Sequence, residues 1–119
     1  MKKTLVIGAS ENPERYSFLA VKRLLRFQHE VKAIGLKKGK IDSVDIDTGH
    51  PEYKDIDTIT LYINPKRQPE YYDYILSLKP KRVIFNPGTE NPELEILLGE
   101  NDIEATEACT LVMLSTGQY

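Results

Sequence analysis

The sequence predicts an α/β fold in which helices cover both faces of a mostly parallel sheet. Three observations support this prediction: short apolar runs alternate with amphipathic segments, Gly or Asn-Pro turns separate them, and the order along the chain is strand, helix, strand. The apolar runs predict a sheet of five strands, at residues 4–7, 31–36, 58–63, 82–85 and 103–106.

The first two elements are the clearest. Residues 4–7 form a continuous apolar run, which is typical of a strand buried in a parallel sheet. A helix is expected over residues 18–28, because Phe18, Val21 and Leu25 recur on one face. This strand and helix begin a βαβ unit.

The later elements are shorter. We expect an irregular connection over residues 41–53, with room for a short edge strand, and a second helix over residues 68–78. A third helix is expected from residue 91 to about residue 98, since Asn-Pro-Glu is a typical helix start. Residues 111–114 are too few for periodicity to decide between helix and strand. Together these elements predict one Rossmann-like domain over residues 1–119.

Charge and composition narrow the class of partner. The formal net charge of −2 disfavours nucleic acid as the main partner. No apolar run approaches 18 residues, so no membrane partner is expected. Cys109 is the single cysteine, which excludes an internal disulfide, and without an export signal the expected location is cytoplasmic.

The loop after the first strand is the strongest functional signal. The strand stops at Gly8, and a polar loop leads to a helix whose N-terminus would favour an anion. Arg15 adds donors that can hold a phosphate in two places. Ser10 stands where a dinucleotide motif has its second glycine, and Lys37, not an acid, follows the second strand. These features disfavour NAD and leave NADP or coenzyme A.

The string Gly-Ala-Ser-Glu-Asn-Pro-Glu-Arg-Tyr-Ser over residues 8–17 is similar to the opening loop of the small bacterial CoA-binding domain proteins. Those proteins are related to the CoA-binding domain of the succinyl-CoA synthetase α subunit. Phe85, Gly88 and Cys109 match further positions of that family. The chain departs from it after the second strand, where Ala-Ile-Gly-Leu-Lys replaces Pro-Val-Asn-Pro, and after the fourth, where Phe-Asn-Pro-Gly replaces Trp-x-Gln-x-Gly.

The resemblance implies that coenzyme A places its diphosphate on the first loop. The implied phosphate contacts are Gly8, Ala9, Ser10 and Arg15. Asn12 and Pro13 would shape that loop, and Asn64 and Gly88 would line the path of the pantetheine. Lys37 is our candidate for the 3′-phosphate, because it lies where the ribose is read in this architecture.

We therefore expect a small protein that binds CoA or acyl-CoA without evident catalysis of its own. The alternatives are an NADP-binding reductase or regulator, and an interaction module that has lost its ligand. His29 is expected to face solvent and His50 to lack a partner, while Cys109 is either a small buried residue or a thiol at the cleft. A homodimer is possible, and three tyrosines of the second helix are candidates for its face: Tyr71, Tyr72 and Tyr74.

Overall fold

The computed structural model describes residues 1–119 as a sheet between two helical layers. The strands are β1 (Thr4–Ala9), β2 (Val31–Gly35), β3 (Gly39–Ile41), β4 (Val44–Asp47), β5 (Thr58–Leu61), β6 (Arg82–Phe85) and β7 (Glu104–Glu107). The helices are α1 (Tyr16–Arg26), α2 (Tyr72–Leu78), α3 (Pro92–Glu100) and α4 (Thr110–Ser115). A 3-10 helix (Pro65–Tyr71) leads into α2. The strand order is β3-β4-β2-β1-β5-β6-β7.

The sheet has seven strands, so the prediction of five strands was wrong. The two additional strands are β3 and β4, which form an antiparallel hairpin at one edge. They hold only three and four residues, and their stability comes from pairing, since β4 joins β2 in parallel with Ala33 opposite Ile46. Local sequence carries little information about strands that depend on tertiary contacts.

Two apolar layers confirm that helices cover both faces. On one face, α1 and α4 contribute Val21, Leu24 and Leu114 to a cluster that includes Val6 of β1. On the other, α2 and α3 pack on a larger cluster that includes Leu5. Neighbouring residues of β1 thus serve opposite layers, as strand geometry requires. None of the helices combines the length and apolar character that a bilayer crossing requires.

The bounds of two helices differ from the prediction, and a proline explains one of the differences. The single helix expected over residues 68–78 is divided, because Pro69 has no N–H to donate and the chain forms a 3-10 helix before α2 begins. The first helix begins at Tyr16 and ends at Arg26, two residues earlier at each end than expected. The ambiguous segment 111–114 is helical and lies within α4.

The order of the strands creates a switch point beside β1. This strand pairs in parallel with β2 on one side and with β5 on the other. The connection that leaves β1 passes through α1 on one face of the sheet, whereas the connection that leaves β5 passes through α2 on the other face, and this opens a crevice beyond the carboxyl ends of the two strands.

Candidate functional site

A cleft of about 710 Å³ occupies the switch point. Its walls are the first loop (residues 10–15), the turn after β2 (residues 36–38), and the segments that follow β5 and β6. Eight of the nine predicted site residues line it: Gly8, Ala9, Ser10, Asn12, Arg15, Lys37, Asn64 and Gly88. The ninth, Pro13, is exposed in the first loop and does not line the cleft.

Two glycines allow the strands to approach closely at the base of the cleft. Gly8 has φ +99°, and a Cβ there would lie 2.7 Å from the carbonyl oxygen of Tyr62. At Gly35 a Cβ would lie 2.3 Å from the carbonyl oxygen of Ala9. The register of β1 shifts between Ile7 and Ala9, so Gly8 forms an irregularity that turns the chain into the first loop.

Side chains of the first loop hold its own backbone. The Ser10 Oγ accepts a hydrogen bond from the Asn12 N–H at 3.1 Å. The Asn12 Oδ1 accepts from the Glu14 N–H at 3.0 Å, and its carbonyl accepts from the Arg15 N–H at 3.0 Å. Asn12 therefore holds the backbone of this loop through its side-chain and main-chain oxygens, and the Ser10 hydroxyl still has its hydrogen to donate.

Several backbone amides around this loop have no acceptor within the protein. They belong to Ser10, Glu11, Tyr16 and Ser17. Arg15 occupies the N-cap position of α1, and no side chain caps the helix there. Uncapped N–H groups at a helix N-terminus attract anions, because their partial charges add to those of the helix dipole.

The cleft collects positive charge. Arg15, Lys37 and Lys38 line it and form no ion pair, while Arg67 lies at the limit of one, 4.0 Å from Glu70. Glu11 is the one acidic side chain in the lining. Nowhere in the chain do His, Cys, Asp and Glu side chains group so as to hold a metal ion. The cleft thus has the character of an anion site.

Twelve of the twenty lining residues were not among the nine predicted site residues, and they include Lys38, Arg67 and Tyr71. Arg67 follows Asn64 by three residues in the 3-10 helix, so its position after β5 was the available signal. Tyr71 is 6% exposed and belongs both to the core and to the cleft wall, a double role that periodicity does not reveal.

Asn86 fixes the end of β6 beside the cleft. Its side chain is buried, and its Nδ2 donates to Thr60 Oγ1 at 2.6 Å and to the Leu61 carbonyl at 2.9 Å. The Oδ1 accepts from the Thr110 N–H at 2.9 Å. One amide therefore joins β5, β6 and α4, and the turn that carries Gly88 starts from this anchored residue.

Gln68 joins two walls of the cleft. It is fully buried, and its Nε2 donates to the carbonyls of Ile63 at 3.1 Å and Thr89 at 2.8 Å, both residues of the lining. The Oε1 accepts from Asn91 Nδ2 at 2.8 Å. The segments after β5 and β6 are thus held at a fixed separation by one side chain.

Cys109 is half-buried at the N-cap of α4 and does not line the cleft, so the structure does not place a thiol there. Nearby, the hydroxyl of Tyr62 is buried without a hydrogen-bond partner, and burial raises the pKa of this tyrosine.

The expectations for the two histidines were wrong. His29 is half-buried, and its Nδ1 accepts from the Lys2 N–H at 2.9 Å. His50 stacks on Tyr74, with ring centroids 4.8 Å apart. Neither histidine lines the cleft.

The comparisons with known proteins agree with this geometry. The sequence model of the family described as CoA binding domain matches residues 2–115. No curated protein matches the chain significantly. An uncharacterised protein known from a crystal structure is 55% identical, with a TM-score of 0.97 over 100% of this chain and 98% of its own.

Two archaeal proteins share the fold at lower identity. A conserved hypothetical protein from Pyrococcus furiosus is 25% identical, with a TM-score of 0.78 over 89% of this chain and 92% of its own. A hypothetical protein from Pyrococcus horikoshii OT3 is 23% identical, with a TM-score of 0.88 over 97% of this chain and 82% of its own. The latter likeness concerns the fold alone.

Proposed function

Because the chain belongs to the CoA-binding domain family, we propose that it binds coenzyme A or an acyl-CoA in the cleft at the switch point. One observation carries the proposal: the uncapped N-terminus of α1 and the free amides of the first loop face a cleft that Arg15 also lines. A diphosphate supplies the acceptors that these donors lack.

The proposed pose extends the ligand along the cleft. The diphosphate lies on the first loop, and Lys37 and Lys38 offer two unpaired cations to the 3′-phosphate. The pantetheine runs past Asn64 and Gly88 toward the segments that Gln68 joins. This arrangement matches each charged part of CoA with free donors, while the pantetheine passes a polar wall that includes Arg67.

NADP is the second candidate, and one observation favours it. Lys37 and Lys38 follow β2, the place where this architecture reads the ribose, and a 2′-phosphate would suit them as well as a 3′-phosphate. Catalysis, if the ligand is NADP, would need a nicotinamide pocket and a proton donor. The absence of catalysis with CoA stays a prediction.

Thermal unfolding with each ligand tests the proposal. The wild type and Arg15→Ala are heated with CoA, acetyl-CoA, NADP and NAD. A ligand at about 100 times its Kd adds about 2.7 kcal/mol, which is a shift of several degrees for a domain of this size. We expect a shift with CoA or acetyl-CoA that Arg15→Ala reduces. A shift with NADP alone would favour the reductase, and no shift at all would favour a module that has lost its ligand.

A further inference from the structure

Glu11 connects the two walls of the cleft that carry cationic side chains, the first loop and the turn after β2. The Oε2 of Glu11 accepts a hydrogen bond from the Lys40 N–H at 2.8 Å. Glu11 belongs to the first loop, with Arg15, whereas Lys40 belongs to β3 and lies two residues after Lys38. A carboxylate that accepts from a backbone N–H makes a charge-assisted bond, which is stronger than a neutral one.

Gly39 is shaped to this contact. A Cβ at Gly39 would lie 2.4 Å from Glu11 Cδ and 2.7 Å from both Cγ and Oε2, and these are its three nearest atoms. The backbone at Gly39 has no positive φ, so a Cβ there would act through its contact with Glu11, whose exposed and flexible side chain would have to move away. A side chain at residue 39 would therefore displace the Glu11 carboxylate from the Lys40 N–H.

We infer that Glu11 is a positioning residue for the ligand, although it places a negative charge in a basic cleft. By holding Lys40, it orders the turn of Lys37 and Lys38 against the first loop, so that both walls present their cations to one polyanion. Cations held in place before binding lose less conformational freedom when the ligand arrives. This inference rests on the proposed function, which supplies the polyanion.

If the negative charge of Glu11 matters most, removing it should strengthen CoA binding. If its contact with Lys40 matters most, losing that contact should weaken CoA binding. Substitutions at Glu11 separate these two effects. Glu11→Gln removes the charge but keeps an oxygen that accepts from the Lys40 N–H, so CoA affinity is expected to stay equal or increase. Glu11→Ala removes both, and we expect its Kd for CoA to increase by about five- to tenfold. The loss is expected to be smaller with dephospho-CoA, which lacks the 3′-phosphate. Equal Kd values for Glu11→Ala and Glu11→Gln would overturn the inference.

Gly39→Ala is the second variant, because it displaces Glu11 without changing any charge. We expect Gly39→Ala to weaken CoA binding as Glu11→Ala does. In the Glu11→Ala background it is expected to cause no further loss of affinity, since the Glu11 atoms nearest to the new Cβ are then absent. Glu14→Ala is the matched charge control: this exposed carboxylate of the same loop makes no ion pair or side-chain hydrogen bond, so its loss should not weaken CoA. Additive effects at Glu11 and Gly39 would contradict the inference.

Hydrogen exchange of the Lys40 amide measures the hydrogen bond between Lys40 and Glu11 in the absence of a ligand. Protection is expected in the wild type, Glu11→Gln and Glu14→Ala, and is expected to fall in Glu11→Ala and Gly39→Ala. Unchanged protection in Glu11→Ala would overturn the inference even if CoA binds. If the wild type binds no CoA, the proposed function fails and the role of Glu11 toward the ligand fails with it, whereas the exchange rates still show whether Glu11 holds Lys40.

Discussion

Single residues set the geometry of the cleft, and Gly8 is the clearest case. Its φ of +99° and the nearby carbonyl of Tyr62 leave no room for a side chain. We expect Gly8→Ala to lower the free energy of unfolding by about 2–4 kcal/mol, through backbone strain and displacement of β5. Urea denaturation measures the change.

Gly99→Ala is the matched control for this substitution. Gly99 lies in α3, and a Cβ there would meet nothing within 4 Å. Because alanine is the better helix former, this variant is expected to gain about 0.5–1 kcal/mol or to remain unchanged. Similar losses in the two variants would show that close approach at Gly8 is not the cause.

His29 gives the stability a pH dependence. Burial, together with the positive charges of the N-terminus and Lys2, lowers its pKa from the usual value. The unfolded chain therefore binds more protons than the folded protein below about pH 6.5, so this contribution is complete above that pH and is lost on acidification. The variant His29→Gln still offers an acceptor to the Lys2 N–H. We expect its free energy of unfolding to fall less on acidification than that of the wild type.

Urea denaturation at about pH 7.5 and about pH 5.5, on either side of the histidine range, measures this difference. His50→Gln is the matched control, since it removes the other histidine, which is exposed. An identical pH dependence in wild type and His29→Gln would contradict the account of His29.

At the scale of elements, Gln68 holds the segments after β5 and β6 together through hydrogen bonds to both. Gln68→Glu keeps the shape of the side chain but replaces a double donor with a carboxylate that faces two carbonyl oxygens. We expect the free energy of unfolding at neutral pH to fall by about 2–4 kcal/mol, with part of the loss recovered when acid protonates the carboxyl. Gln118→Glu, at an exposed position, is expected to be neutral.

Elements differ in how far local sequence determines them. The apolar run of β1 and the polar first loop that follows it were predictable, because both follow from short-range patterns. The hairpin of β3 and β4 was not, since its strands are short and depend on pairing with β2. Glu11 was likewise missed as a structural contact, because its partner Lys40 is 29 residues away in the sequence.

At the scale of the whole molecule, charge is distributed unevenly. The chain has a net charge of −2, yet four cations and one carboxylate line the cleft, a difference of +3. An acidic protein with one basic cleft directs a small anion toward that cleft, and less strongly as salt increases. The predicted homodimer stays a prediction: Tyr71 and Tyr74, two of the tyrosines considered for its face, are buried in the core of the chain.

Calorimetric titration of the wild type, Arg15→Ala and Arg23→Ala with CoA tests the central claim most directly. Arg23 lies on α1 outside the cleft, so its loss matches the change in charge without touching the site. We predict one CoA per chain, a Kd about tenfold or more higher in Arg15→Ala, and a Kd within about twofold of the wild type in Arg23→Ala. A wild type that binds no CoA, or equal losses in the two variants, would contradict the account.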